Sequence, residues 1–252
     1  MKRLYWLITP VAILAIWEFA AASGAVSSYL LPPPAKVWRT CLALLESGEL
    51  FQNIAASLER VGKGFIISAF FGALLAWALA NAPKLEKTLD PLLNFLRMTP
   101  PLATIPLLIL WFGIGEGTQL AIIILAAFFP IFLNSRAGFA RMDDTMRELA
   151  ASLALSRRDI IRYIALPAAF PSIVTGFRLS FGYSWRALIA AELIAASSGL
   201  GYMIADAEQM QRVDVVLVGI FAIGVIGWLL DAGFRFLINL FASRRFPELA
   251  WQ

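Results

Sequence analysis

Three charged residues, Arg178, Arg186 and Glu192, stand inside one apolar run that extends from Ser172 to Ala196. A charge near the middle of a bilayer costs about 2.5–3.5 kcal/mol on insertion scales, so such side chains face protein or a wet cavity. Their chemistry is electrostatic: they can hold, repel or pass an ion. Arg178 lies about 9 Å from the inner end of the run at 1.5 Å per residue, close enough for its guanidinium to snorkel to the interface. Arg186 is deeper and about 80° around the helix from Arg178, so both can border one polar path. For an anionic substrate Arg186 is the prime contact, with a buried ion pair or a helix-packing role as the alternative. Glu192, nearer the outer end, reads as a gate or a contact for an external partner. Arg97, Met98 and Thr99 precede Pro100-Pro101, where helical backbone is interrupted, and are further candidates for lining the path. A Pro-kinked helix start is the plainer reading of that segment.

Other chemistries find no residues to carry them. There is no histidine, which removes the commonest general base, and Cys41 is the single cysteine, which excludes an intrachain disulfide and Cys/His metal sites. Gly62-Lys63-Gly64 lacks both the spacing and the Ser/Thr of a phosphate loop, so ATP hydrolysis has no place in this chain. No catalytic residue, cofactor or metal is expected in it.

The elements that must position these charges are membrane spans. Of the 252 residues 60% are hydrophobic and 15% charged, against about 25% charged in soluble domains. Such a chain cannot cover a water-soluble globule with polar groups and belongs in a bilayer. A crossing helix needs about 20 mostly apolar residues. Six stretches are read as spans, at residues 4–22, 61–80, 102–115, 120–139, 172–196 and 215–240 of a single transmembrane domain. The third is short, with Thr99, Pro100 and Pro101 extending it in irregular form. An open sheet cannot satisfy its backbone in lipid, so the fold class is all-α.

Lys and Arg alternate in density between the spans. Lys2, Arg3, Lys84, Lys87, Arg141, Arg147, Arg157, Arg158, Arg162, Arg244 and Arg245 fall on one side; Lys36, Arg39 and Arg212 fall on the other. The positive-inside rule places both termini and the loop between spans four and five in the cytoplasm. The net charge of +4 is therefore a topology signal and not a nucleic-acid patch. Lys2 and Arg3 ahead of an apolar run resemble a signal peptide, but the run is long and interrupted by Trp17 and Glu18, so the first span is read as retained. Leu30 to Pro34 reads as a stiff polyproline-like segment. Ala35 to Leu45 reads as an amphipathic helix on the outer surface or against the bundle.

The loop over residues 140–170 is the most informative part of the chain. Met146–Leu155 is rich in helix formers, and Ser156 ahead of Arg157, Arg158 and Asp159 is an N-cap for a second short helix. Ile160, Ile161, Tyr163, Ile164 and Leu166 give that helix an apolar face, and Pro167 ends it. Two short helices jointed near Ser156 would project as a knob suited to a partner's groove, though pattern alone also allows a simple connector.

Glu148-Leu149-Ala150 through Ala154 to Ile164-Ala165-Leu166-Pro167 resembles the EAA signature of binding-protein-dependent ABC importer permeases. That signature reads Glu-Ala-Ala, three residues, Gly, nine residues, Ile-x-Leu-Pro. Leu149 replaces its first Ala and Ala154 its Gly, and an Ala there is compatible with a helix. Thr99-Pro100-Pro101 with Trp111-Phe112-Gly113, Pro171-Ser172-Ile173 with Thr175-Gly176-Phe177, and Ala191-Glu192-Leu193-Ile194 with Ser198-Gly199-Leu200-Gly201 are similar to the nitrate, sulfonate and taurine-type permeases of that family.

The resemblance implies a six-span permease of the type I importer kind with a cytoplasmic coupling helix, in a bacterial inner membrane. It implies a homodimer with the path along its interface, two ATP-binding cassette subunits that bind ATP and Mg, and a periplasmic or lipid-anchored substrate-binding protein. Coupling to the ATPase falls on Glu148, Ala150, Ala154, Leu155, Ile164, Leu166 and Pro167; Ser156, Arg157, Arg158 and Asp159 join them by their charge and place in the spacer. The implied substrate is a small organic anion, an aliphatic sulfonate or taurine first and nitrate next, with thiamine precursors or other nitrogenous compounds behind. A secondary transporter or channel remains the alternative, short of intramembrane carboxylates beyond Glu18 and Glu192. An intramembrane enzyme is a second alternative, with no nucleophile and base pair to support it.

Overall fold

The computed structural model describes residues 5–24, 26–140, 146, 148, 150 and 152–241, and among them every regular element is a helix. In chain order these are α1 (Tyr5–Ala22), α2 (Pro34–Glu46), α3 (Glu49–Ala80), α4 (Pro83–Met98), a 3-10 turn (Pro101–Thr104), α5 (Ile105–Phe112) and α6 (Glu116–Phe139). After the loop come α7 (Arg157–Ile160), a π turn (Ile161–Ala165), α8 (Leu166–Ala195), α9 (Leu200–Gln209) and α10 (Val213–Phe241).

Four segments are long and apolar enough to cross a membrane: Glu49–Ala80, Glu116–Phe139, Ile160–Ala195 and Val213–Leu240. They overlap the second, fourth, fifth and sixth expected spans. α1 matches the first as a shorter apolar helix. The third expected span, 102–115, is corrected: α5 has 8 residues, about 12 Å, far short of the hydrocarbon core. Thr99 and Pro100 are extended, with ψ of 118° and 125°, because the two prolines supply no N–H to continue a helix. The chain turns there by 86°, so α4 and the Pro101–Phe112 segment form one bent pair.

α6 is the central post, clasped between α3 and α8. Both flanking helices present small residues every four positions: Gly64, Ser68, Gly72 and Ala76 on α3, and Ser172, Gly176, Ser180 and Ser184 on α8. Lipid tails are as apolar as leucine, so helices associate in a bilayer through close packing and interhelical hydrogen bonds. A Cβ at Gly64 would stand 2.5 Å from Ile123 Cγ2, and one at Gly176 2.7 Å from Asn134 Cβ. Ser180 Oγ donates to the Ala127 carbonyl at 2.7 Å, tying α8 to α6 across the stripe. α4 is held to the same post by Arg136, whose Nε meets Glu86 at 2.6 Å and whose Nη1 meets Asp90 at 2.7 Å.

At the other edge α2 is the amphipathic helix expected, with Val37 and Leu44 buried and Trp38, Leu42 and Leu45 exposed. The preceding segment is less extended than expected: Leu30 and Leu31 N–H groups both turn back to the Ser27 carbonyl. Pro33 is polyproline-like, at φ −62° and ψ 147°, while Pro34 opens the helix, where its missing N–H costs nothing. Thr40 Oγ1 donates to Asp214 at 2.7 Å and fastens α2 to the start of α10.

Candidate functional site

The expected joint of the knob is present. Ser156 Oγ accepts the Asp159 N–H at 3.2 Å and donates to its carboxylate at 2.6 Å, an N-cap with the acidic group placed in the first turn. Ala154 is not helical. Its φ of 49° is left-handed, and the Leu155 N–H closes back on the Ala150 carbonyl at 3.1 Å. This is the backbone of a helix-ending turn that glycine fills without cost, and an alanine in it carries about 1 kcal/mol of strain. The chain thus bends sharply where the signature carries Gly, although the residue here is Ala.

The second arm of the knob is not a separate short helix. Pro167 does not end it: α7 runs through the π turn into α8, and the Leu166 N–H reaches the Ile161 carbonyl. Widening the turn by one residue accommodates the proline ring and its missing donor inside a continuous helix. The knob is therefore the root of the span that carries Arg178, Arg186 and Glu192, one continuous helical segment from Arg157 to Ala195.

Of the residues expected to couple, Glu148, Ala154, Ser156 and Arg158 are exposed, Ala150 is buried, and Leu155, Asp159, Ile164 and Pro167 are half-buried. The Arg157 side chain, like Leu149 and Ala151, lies outside the described residues. Leu153, Tyr163 and Leu166 are 61%, 65% and 46% exposed, and the Arg162 guanidinium lies 5.7 Å from the Tyr163 ring centre. Apolar and basic groups share this surface.

Arg178 and Arg186 do border common ground. A cavity of about 420 Å³ is lined by both, with Thr175, Leu179, Gly182, Tyr183 and Asp231. A smaller one of about 230 Å³ between α8 and α10 repeats Arg178, Gly182, Arg186 and Asp231. Leu179 and Tyr183 also wall a cavity of about 780 Å³ that reaches Arg97 and Thr99 between α4 and α6. The hollows follow one another around the open face of α8. Met98 is exposed and lines none of the three.

The two arginines differ. Arg178 Nε meets Asp231 at 3.2 Å, and Asp231 meets Arg235 at 3.2 Å. Arg186 is exposed and has no hydrogen-bond or ion-pair partner among the described residues. Asp231 and Arg235 escaped notice in the sequence, where their spacing of four inside an apolar run was the available signal.

Glu192 sits elsewhere and is 1% exposed. Ser57 Oγ donates to it at 2.8 Å, Arg60 Nη1 at 2.8 Å and the Gly201 N–H at 3.0 Å. Arg60 also donates to the Ser198 carbonyl and hydroxyl, Asn53 accepts the Gly199 N–H and Ser57 the Leu200 N–H. The free donors at the start of α9 are thus capped from α3 and α8. Gly199, at φ 113°, is required twice over, since a Cβ there would also collide with the Glu192 carboxylate. Glu192 is the keystone of the junction between α3, α8 and α9 and lines none of the three cavities. Arg60 and Ser57, which bond Glu192, and Asn53, which accepts the Gly199 N–H, were not singled out in the sequence. No group of three His, Cys, Asp or Glu side chains converges among the described residues.

The family described as "Binding-protein-dependent transport system inner membrane component" matches over residues 68–246. A Bacillus subtilis protein provisionally named the aliphatic sulfonates transport permease SsuC is 39% identical over 94% of this chain and 87% of its own length. The taurine transport system permease protein TauC of Escherichia coli is 37% identical, over 91% of this chain and 85% of its own. The bicarbonate transport system permease protein CmpB of a Synechocystis strain is 31% identical, over 92% and 86%. Among solved structures, an inward-facing form of the MetNI methionine ABC transporter aligns with 72% of this chain and 96% of its own at a TM-score of 0.52, with 15% identity. That likeness concerns the fold.

Proposed function

The chain belongs to the family of binding-protein-dependent transport system inner membrane components, and from that premise we propose that two copies of it form a path for a small organic anion. Uptake is driven by ATP hydrolysed in two partner subunits, which hold the nucleotide and Mg, and substrate arrives on an external binding protein. Both termini and the knob lie in the cytoplasm.

The observation that carries this reading is the construction of the knob. Its exposed Leu153, Tyr163 and Leu166, mixed with Arg158 and Arg162, suit a groove on a partner. Its continuity with α8 turns any push on it into movement of the helix that borders the cavities. A change of state at a partner then biases a two-state element in the membrane. The substrate class rests on the names of the relatives and on the arginines along α8; sulfonate or taurine stands first and nitrate next.

Replacing Glu148 or Leu166 by Lys is expected to uncouple ATPase activity from uptake while membrane insertion is kept. Full uptake in both variants would remove the knob from the mechanism. The affinity of the cognate binding protein for a panel of sulfonates, nitrate, bicarbonate and pyrimidines tests the substrate class.

A further inference from the structure

Resting on the permease reading, we propose that Arg186 is the anion-selecting residue of the path, a fixed positive charge that a small oxoanion touches in mid-membrane. Arg186 lies nine residues inside the end of α8, about 14 Å from it, farther than its own side chain can snorkel. It is exposed, and no partner among the described residues neutralises it. A charge so placed is tolerated only where water or an ion reaches it.

The surroundings suit an oxoanion. Arg178, Arg186 and Asp231 line the same hollow, and Arg235 is paired with that Asp231. Three guanidinium groups to one carboxylate leave the cluster with a net charge of +2. Arg178 is committed to Asp231, so Arg186 is the group left to meet a ligand. Tyr183 and Thr175 line the same wall, with the Thr175 hydroxyl donating to the Pro171 carbonyl at 2.9 Å. A guanidinium fork matches the paired oxygens of a sulfonate, nitrate or bicarbonate. One free arginine is not a cage. It attracts an anion and lets it leave, as conduction requires.

Cys41 is the only cysteine, so a C41A background makes labelling specific. In the full transporter, R186C should react with the water-borne reagent sulfonatoethyl methanethiosulfonate much faster than I66C, which replaces an exposed apolar residue of α3. Excess methanesulfonate should slow that reaction. In uptake of labelled methanesulfonate, R186Q should lose at least about tenfold, the scale of one charge-assisted hydrogen bond, and R186K should recover most of it. An R186C thiol that reacts no faster than I66C overturns the assignment, as does R186Q uptake at the wild-type rate. Equal loss in R186Q and R186K also overturns it, because packing and not charge would then be at stake. A wild-type transporter that takes up no anion refutes the permease reading and this assignment together; an active wild type indifferent to residue 186 refutes only the assignment.

Discussion

Glu192 and Arg186 sit six residues apart on the same helix, and their surroundings are opposite. Glu192 is enclosed by Ser57, Arg60 and the start of α9, with donors on both carboxylate oxygens. Arg186 looks into a chain of hollows with no counter-ion of its own. Both are ionisable side chains in an apolar span, and residue type does not separate them. Closure does: a charge whose bonding capacity is filled by its own fold holds helices together, and a charge left open is available to something that passes.

Breaking the closed end should have the largest effect. Glu192→Ala leaves Arg60 without its counter-ion in a site where its side chain is 13% exposed, a loss expected to cost about 3–5 kcal/mol. Thermal denaturation of the purified protein in detergent should show it as a marked fall in midpoint, and Arg60→Ala should match it. An unchanged midpoint in both would mean that the junction of α3, α8 and α9 is held by other contacts.

Opening a second charge sharpens the contrast at the other site. Asp231→Asn removes the carboxylate that pairs with Arg178 and Arg235 and raises the positive charge of the hollow. The pair is partly exposed and worth about 1 kcal/mol at most, so the apparent KM for anion uptake should fall by up to roughly fivefold. Turnover should fall with it as the anion is held longer. A raised KM would contradict the picture of Asp231 as the competitor for the arginines.

The smallest expected change trims the closed network without breaking it. Ser198→Ala removes the hydroxyl acceptor of Arg60 but leaves the Ser198 carbonyl in place. A loss of about 0.5–1 kcal/mol is expected in the same melting experiment. A loss as large as that of Glu192→Ala would show that the turn and not the ion pair carries the stability.

What could be read from the chain alone is what depends on near neighbours. Long apolar runs mark α3, α6, α8 and α10 because a helix satisfies its backbone within itself. The Ser156 cap was legible because Ser156 and Asp159 are three residues apart. The sharing of one hollow by Arg178 and Arg186 followed from helix geometry. The third crossing was misjudged because hydropathy does not register how far two prolines swing the chain, and because α4, which pairs with α5, is amphipathic and too polar to count as a span by itself. The ending placed at Pro167 failed because a π turn absorbs the proline within a continuous rod.

Tertiary structure alone decided which intramembrane charges are spent and which are free. Arg60 and Glu192 are 132 positions apart and Arg178 and Asp231 are 53 apart. No periodicity links residues at such separations; the packing of α3 and α8 against α6, and of α10 beside α8, brings them together. Sequence determined that charges stand in the membrane, and the fold chose their partners, because a counter-ion is defined by distance in space.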